Sequence, residues 1–137
     1  MSCETANQHI LIIDDDEAVR SAFRLALAHL PYRLSEAADG VLGTQIAVEQ
    51  DVGLVFLDLR MPGLDGTRVL RRIRAAKPEL PVYIVTAFHR EFFDVLVEAR
   101  AEGLKFELLR KPLERDQIIQ LSTAVLPPTD ATVPTDA

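Results

Sequence analysis

The chain has 137 residues, 48% of them hydrophobic, a formal net charge of −6 and one cysteine, Cys3. Length and apolar content suit a single domain with a real core and argue against disorder. The acidic balance argues against a nucleic-acid surface, which needs clustered Lys and Arg. The lone cysteine excludes an internal disulfide framework and suits a reducing cytoplasm, and neither a signal peptide nor an apolar run of about 20 residues for a membrane helix is present.

Residues 1–7 read as a flexible N-terminus, 8–125 as one domain, and 126–137, rich in Pro, Thr, Asp and Ala, as a flexible tail or the start of a linker. Within the domain, strand-like and helix-like segments alternate five times. Residues 9–14 form the first strand. Residues 17–30 are expected to be helical, with Val19, Ala22, Phe23, Ala26 and Leu30 inward. A half-exposed strand over 32–37 and a weaker helix over 39–50 follow. Residues 53–58 form the third strand, and 65–77 a helix buried through Val69, Leu70, Ile73 and Ala76 and capped by Asp65. Residues 81–86 are the fourth strand. The next helix, 89–102, turns Phe92, Val95, Leu96 and Ala99 inward and stops at Gly103. Residues 105–110 and 114–125 supply the last strand and helix.

This alternation predicts an α/β fold, a (βα)5 doubly wound parallel sheet of flavodoxin-like type. Strands one, three and four are unbroken apolar runs, as expected of central strands. Strands two and five are interrupted by Arg33 and Glu36 and by Lys105, Glu107 and Arg110, as expected of edges. The order 2-1-3-4-5 satisfies both and puts a topological switch point between strands one and three, where such sheets bind ligands.

Chemical groups gather at the carboxyl ends of these strands. Asp14 and Asp15 end the first strand, Asp58 the third, Thr86 the fourth, and Lys111 follows the fifth. Asp15 and Asp58 are suited to share a hard cation such as Mg²⁺, which prefers oxygen donors. Asp58, alone at its strand end, is the natural carboxylate nucleophile, with Lys111 and Thr86 to meet phosphoryl oxygens. Asp16 is better explained as the cap of the first helix. Arg68, Arg71, Arg72, Arg74 and Lys77 make the third helix basic, which is more simply a solvated face than an acidic-partner site.

The stretches ILIIDDDEAVR, LVFLDLRMPGLDG, VYIVTAF and LLRKPL resemble the response-regulator receiver domain of two-component signalling, over about residues 8–125. The resemblance implies that Asp58 is the phospho-acceptor. It implies that Asp14, Asp15, Asp58 and the backbone carbonyl of Arg60 hold Mg²⁺. Thr86 becomes the switch hydroxyl, Lys111 a contact of the phosphoryl group, and Lys111–Pro112 a cis bond. It further implies a histidine kinase or phosphotransfer protein as donor, a cytoplasmic setting and no enzymatic turnover beyond the domain's own phosphorylation and dephosphorylation. The switched surface would be helix four, strand five and helix five, open to an output domain, a partner or a phosphorylation-dependent homodimer. Leu108 stands where the family commonly has Tyr or Phe, with Phe106 two residues earlier and the Gly103–Lys111 stretch one residue longer than usual. Phe88 is a variable position beside the phosphoryl group and is expected to shield it from water. Two alternatives follow. One is an interaction module with impaired switching, kept open by Leu108. The other is a phosphatase of the haloacid dehalogenase type, disfavoured because Arg60 occupies the position of its second acid.

Overall fold

The computed structural model describes residues 8–61, 65–87, 90 and 93–128. Five strands, β1 (His9–Ile13), β2 (Arg33–Ala37), β3 (Leu54–Leu57), β4 (Val82–Thr86) and β5 (Glu107–Arg110), alternate with five helices. These are α1 (Glu17–Ala26), α2 (Gly40–Glu49), α3 (Gly66–Ala76), α4 (Phe93–Ala101) and α5 (Arg115–Val125). All pairings are parallel and the sheet order is β2-β1-β3-β4-β5, as the apolar runs require.

The period-2 alternation of the strands divides the core into two layers. Leu11, Ile13, Val55 and Leu57 face α2, α3 and α4, packing on Ala47, Ile73 and Leu96. Ile10, Ile12, Leu54 and Phe56 face α1 and α5, packing on Phe23, Ala26 and Ile118. Phe56 anchors the second layer, with its ring 4.7 Å from that of Phe23 and 5.7 Å from that of Tyr83. The strands carrying the acidic residues are therefore buried on both faces, and their ends are held rigidly.

Helix starts follow the expected chemistry. Asp16 accepts a hydrogen bond from Ala18 N at 2.9 Å and caps α1. Asp65 accepts from Thr67 N and Arg68 N and caps α3. Gly103 adopts φ 88°, the left-handed turn that ends α4.

Several expectations are corrected at the margins. Helix α1 ends at Ala26 rather than residue 30. The chain turns through Leu27, whose N–H bonds to the Phe23 and Leu25 carbonyls; Pro31 has no N–H to give the Leu27 carbonyl, and in a continued helix its ring would crowd that oxygen. Ala22 and Ala76 are exposed, at the edge of their apolar stripes, and Val95 is half-buried. Strand β5 begins at Glu107, and Phe106 is buried just before it. Leu126, expected in the tail, is buried, and its carbonyl accepts the Tyr32 hydroxyl. The expectations for Phe88 and Phe92, for residues 1–7 and for residues 129–137 lie outside the described residues.

Candidate functional site

Backbone bonds between neighbouring strands align the strand ends. Asp58 N donates to Ile13 O at 2.9 Å, Asp14 N to Ala37 O at 3.0 Å, and Lys111 N to Thr86 O at 3.1 Å. Asp14, Asp58 and Thr86 are consequently buried at one level of the sheet, and Asp15 is exposed at its mouth. Arg60, two residues after Asp58, is exposed on the loop. The Lys111–Pro112 bond is cis.

Asp14, Asp15 and Asp58 each offer a carboxylate oxygen, and the three lie within 4.8 Å of one another. Lys111 is the cation facing them. Its Nζ is 2.8 Å from Asp14 Oδ2 and 3.5 Å from Asp58 Oδ1. Asp14 Oδ1 is taken by Asp16 N at 2.9 Å. Asp58 Oδ1 is buried with no hydrogen-bond partner among the described residues. The Lys111 ammonium, at salt-bridge distance, offsets only part of the cost of burying this oxygen without a close donor.

The electrostatics agree with the geometry. Burial, and next the Asp14 carboxylate, push Asp58 up to about 6 against the opposing pull of Lys111. Burial works against the charge of Lys111, but Asp14 and Asp58 outweigh it and hold the ammonium above the ordinary lysine value. Among the described residues, three carboxylates against one ammonium leave an excess of negative charge. All the ligating atoms are hard oxygens, so the donor set fits a hard divalent cation.

Two supporting residues escape a reading of the sequence by motif. Arg20 Nη1 donates to Asp14 O at 2.7 Å and fixes the acidic turn; the same side chain pairs with Glu17 and Glu36. Its position one turn into α1 is the only sequence signal. Gly66 starts α3 directly against the loop that follows Asp58, where a Cβ would lie 2.5 Å from Asp58 O and 2.7 Å from Leu59 Cα. A glycine beside the capping Asp65 is the signal there, and it is a weak one.

Thr86 is fully buried at the end of β4. Leu108 is 38% exposed, on the same side of β5 as α4. Phe106 is 4% exposed and packs in the core, with the Arg100 guanidinium 4.3 Å from its ring centroid and Arg100 Nη2 donating to Phe106 O.

A five-stranded parallel sheet with an acidic cluster and a lysine at its switch point defines a doubly wound ligand-binding α/β domain. The family model of the response regulator receiver domain matches residues 10–123. The chain belongs to that family, the receiver domains of two-component signal transduction. Similar proteins include the transcriptional regulatory protein AfsQ1 of Streptomyces coelicolor, 40% identical over 88 residues, or 64% of this chain and 38% of that one. The receiver domain of the sensor histidine kinase PA1611 of Pseudomonas aeruginosa is 26% identical with a TM-score of 0.71, over 88% of this chain and 98% of that one. That structure has a magnesium ion coordinated in its active-site cleft. A CheY-like receiver from Methanospirillum hungatei, 22% identical, shares the fold with a TM-score of 0.77, over 88% of this chain and 94% of that one. The chain spans between about a quarter and a half of the length of the curated relatives it matches. No helix among the described residues is long and apolar enough to cross a membrane.

Proposed function

We propose that the domain accepts a phosphoryl group on Asp58 from a histidine kinase or phosphotransfer protein, in the cytoplasm. The observation that carries this reading is Asp58 Oδ1, buried, without a hydrogen-bond partner among the described residues, and facing Lys111 from the end of β3. In the reaction a carboxylate oxygen of Asp58 forms a bond to phosphorus, and the donor's leaving group departs with the electrons of the broken bond. Lys111, already 3.5 Å away, balances charge on the phosphoryl oxygens. Asp14 and Asp15, with Asp58 and the Arg60 carbonyl, would hold Mg²⁺, which supplies Lewis-acid neutralisation of the transferring group. Thr86, buried beside the site, would offer its hydroxyl to the phosphoryl group once it is attached. Several curated relatives are named as transcriptional regulatory proteins, which supports a phosphorylation signal read by an output domain or a separate partner.

The test is incubation with Mg²⁺ and a small acyl-phosphate or phosphoramidate donor, followed by intact-mass measurement. One added phosphoryl group is expected, and Asp58→Asn should lose it. Equal labelling of Asp58→Asn would overturn the assignment.

A second reading is supported by β5. The aromatic beside this strand, Phe106, is pinned under Arg100 in the core, and the exposed position holds Leu108. A domain that takes up phosphate without reorienting an aromatic would act as a phosphorylated docking module. Backbone spectra with and without a beryllofluoride mimic separate the two readings. Changes confined to the loops around Asp58 favour the docking module. Changes spreading across α4 and β5 favour a switch.

A further inference from the structure

The outer surfaces of α2, α3 and α4 carry features that phosphoryl chemistry does not use. All three helices lie on one side of the sheet, over the same core layer. Helix α2 has no charged residue from Gly40 to Val48, and Val41 and Val48 are 64% and 37% exposed. They stand seven residues apart, on one helix face.

Beside it, α3 carries two arginines on the shoulder turned toward α2. Arg71 and Arg74 mark the other shoulder. Arg71 pairs with Glu102 after α4, and Arg74 Nε donates to Lys105 O at 2.7 Å. With 3.6 residues per turn, Arg72 falls on the opposite side of the outer surface, and Arg68 one turn before it. Both are exposed and neither forms a salt bridge among the described residues, although Arg68 lies within the field of the capping Asp65. The α2–α3 surface thus has an apolar wall and a basic wall.

Helix α4 presents the counterpart. Phe93 and Val97 are 62% and 51% exposed, and Asp94 and Glu98 are exposed beside them. Neither acid forms a salt bridge among the described residues, although Glu98 lies within the field of Arg71. Asp94 and Glu98 are four residues apart, as are Arg68 and Arg72. Each pair therefore spans about 6 Å of helix axis.

We propose that two copies of this chain associate face to face, with α4 of each seated on the α2–α3 surface of the other. Asp94 and Glu98 meet Arg68 and Arg72, and Phe93 and Val97 meet Val41 and Val48. A chain of net charge −6 repels its own copies over most of its surface. A self-contact must bring its exposed basic residues against its exposed acids, with apolar area between, and these surfaces supply all three. Because both lie on the same side of the sheet, a twofold axis near α3 makes both contacts at once and closes the assembly as a dimer.

Charge swapping tests this on the whole protein by sedimentation equilibrium. The wild type should rise from 15.2 kDa toward twice that mass with concentration, less readily in high salt. R68E/R72E and D94R/E98R should each weaken association at least about tenfold while melting like the wild type. The two variants mixed, or all four changes in one chain, should restore it. A wild type that stays monomeric at every concentration would overturn the proposal, and leave the basic wall to an acidic partner of another kind. Association unaffected by R68E/R72E would also overturn it, in favour of α4 pairing with itself. So would a four-change chain that stays monomeric.

Discussion

Lys111 gives its ammonium to Asp14 at 2.8 Å and stands 3.5 Å from Asp58. The lysine serves two buried acids and is committed to the one that is not the proposed acceptor. Removing it leaves both acids facing each other with no cation among the described residues paired to them. Lys111→Ala should therefore destabilise the metal-free protein at pH 8 by about 2 kcal/mol, below the full cost of a deeply buried pair because Lys111 is partly exposed. At pH 5, where Asp58 carries its proton, the loss should be smaller, reduced to the part that Lys111 contributes through Asp14. Urea unfolding of both proteins at the two pH values measures it, and an equal loss at both would contradict the coupling.

Asp58 itself sets a pH dependence. Its folded value, about 6, lies above the ordinary 3.8, so between these limits the folded state binds more protons than the unfolded. The stabilisation linked to this proton is complete below about pH 3.8 and is lost as pH rises through about 6. The span corresponds to at most about 3 kcal/mol. Asp58→Asn should remove this part of the slope and make the metal-free protein more stable than wild type at pH 8, with the advantage fading toward pH 4. Melting temperatures across that range, without divalent ions, provide the check.

The same excess of negative charge predicts a response to metal. Millimolar Mg²⁺ should raise the melting temperature of the wild type at pH 7.5, and a chelator should reverse the gain. Asp15→Asn should lose most of that response with little effect on metal-free stability, because Asp15 is exposed. Asp14→Asn should lose the response and also disturb the fold, because Asp14 is buried and bound to Lys111 and Asp16 N. An Asp15→Asn protein that responds to Mg²⁺ like the wild type would remove this residue from the site.

Much of this arrangement is legible in the chain, for a physical reason. Central strands buried on both faces must be unbroken apolar runs, so Ile10–Ile13 and Leu54–Leu57 reveal their rank in the sheet, and the polar groups that end them reveal the crevice. What is not legible depends on distances across the fold. No spacing rule shows that Lys111 reaches Asp14 before Asp58, or that Arg20 holds the Asp14 carbonyl. Helical periodicity assigns Ala22 and Ala76 to the inner face, yet both sit at the stripe's margin, where 100° per residue cannot decide burial.

Gly66 offers a sharper test of the support beneath Asp58, the proposed acceptor. A Cβ there would meet two backbone atoms, Asp58 O at 2.5 Å and Leu59 Cα at 2.7 Å, which cannot swing aside as a side chain can. Gly66→Ala must push α3 away from the loop, at about 1–3 kcal/mol. The loop that moves is the one carrying Asp58, so phosphorylation by a small donor should slow along with the loss of stability. Ala75→Gly, at an exposed position in the same helix, should cost about 1 kcal/mol and leave labelling unchanged. Comparing the two separates a misplaced acceptor from a merely weakened helix.

Phe106 and Leu108 decide which residue of β5 is structural. Phe106 is buried under Arg100, so Phe106→Ala should cost about 3–5 kcal/mol as a core truncation. Leu108 is 38% exposed, so Leu108→Ala should cost less than about 1 kcal/mol. If the aromatic were instead a mobile relay, its truncation would be tolerated and Arg100→Met would change little. Arg100 both covers the ring and donates to the Phe106 carbonyl, so Arg100→Met should cost about 1–2 kcal/mol. Introducing an aromatic at the open position, as Leu108→Tyr, should leave stability within about 1 kcal/mol. Because it does not free Phe106, it should add a surface ring without altering the rate of labelling at Asp58. Denaturant midpoints of the four variants, with labelling rates for Leu108→Tyr, measure each of these outcomes, and a Phe106→Ala protein as stable as Leu108→Ala would reverse the assignment.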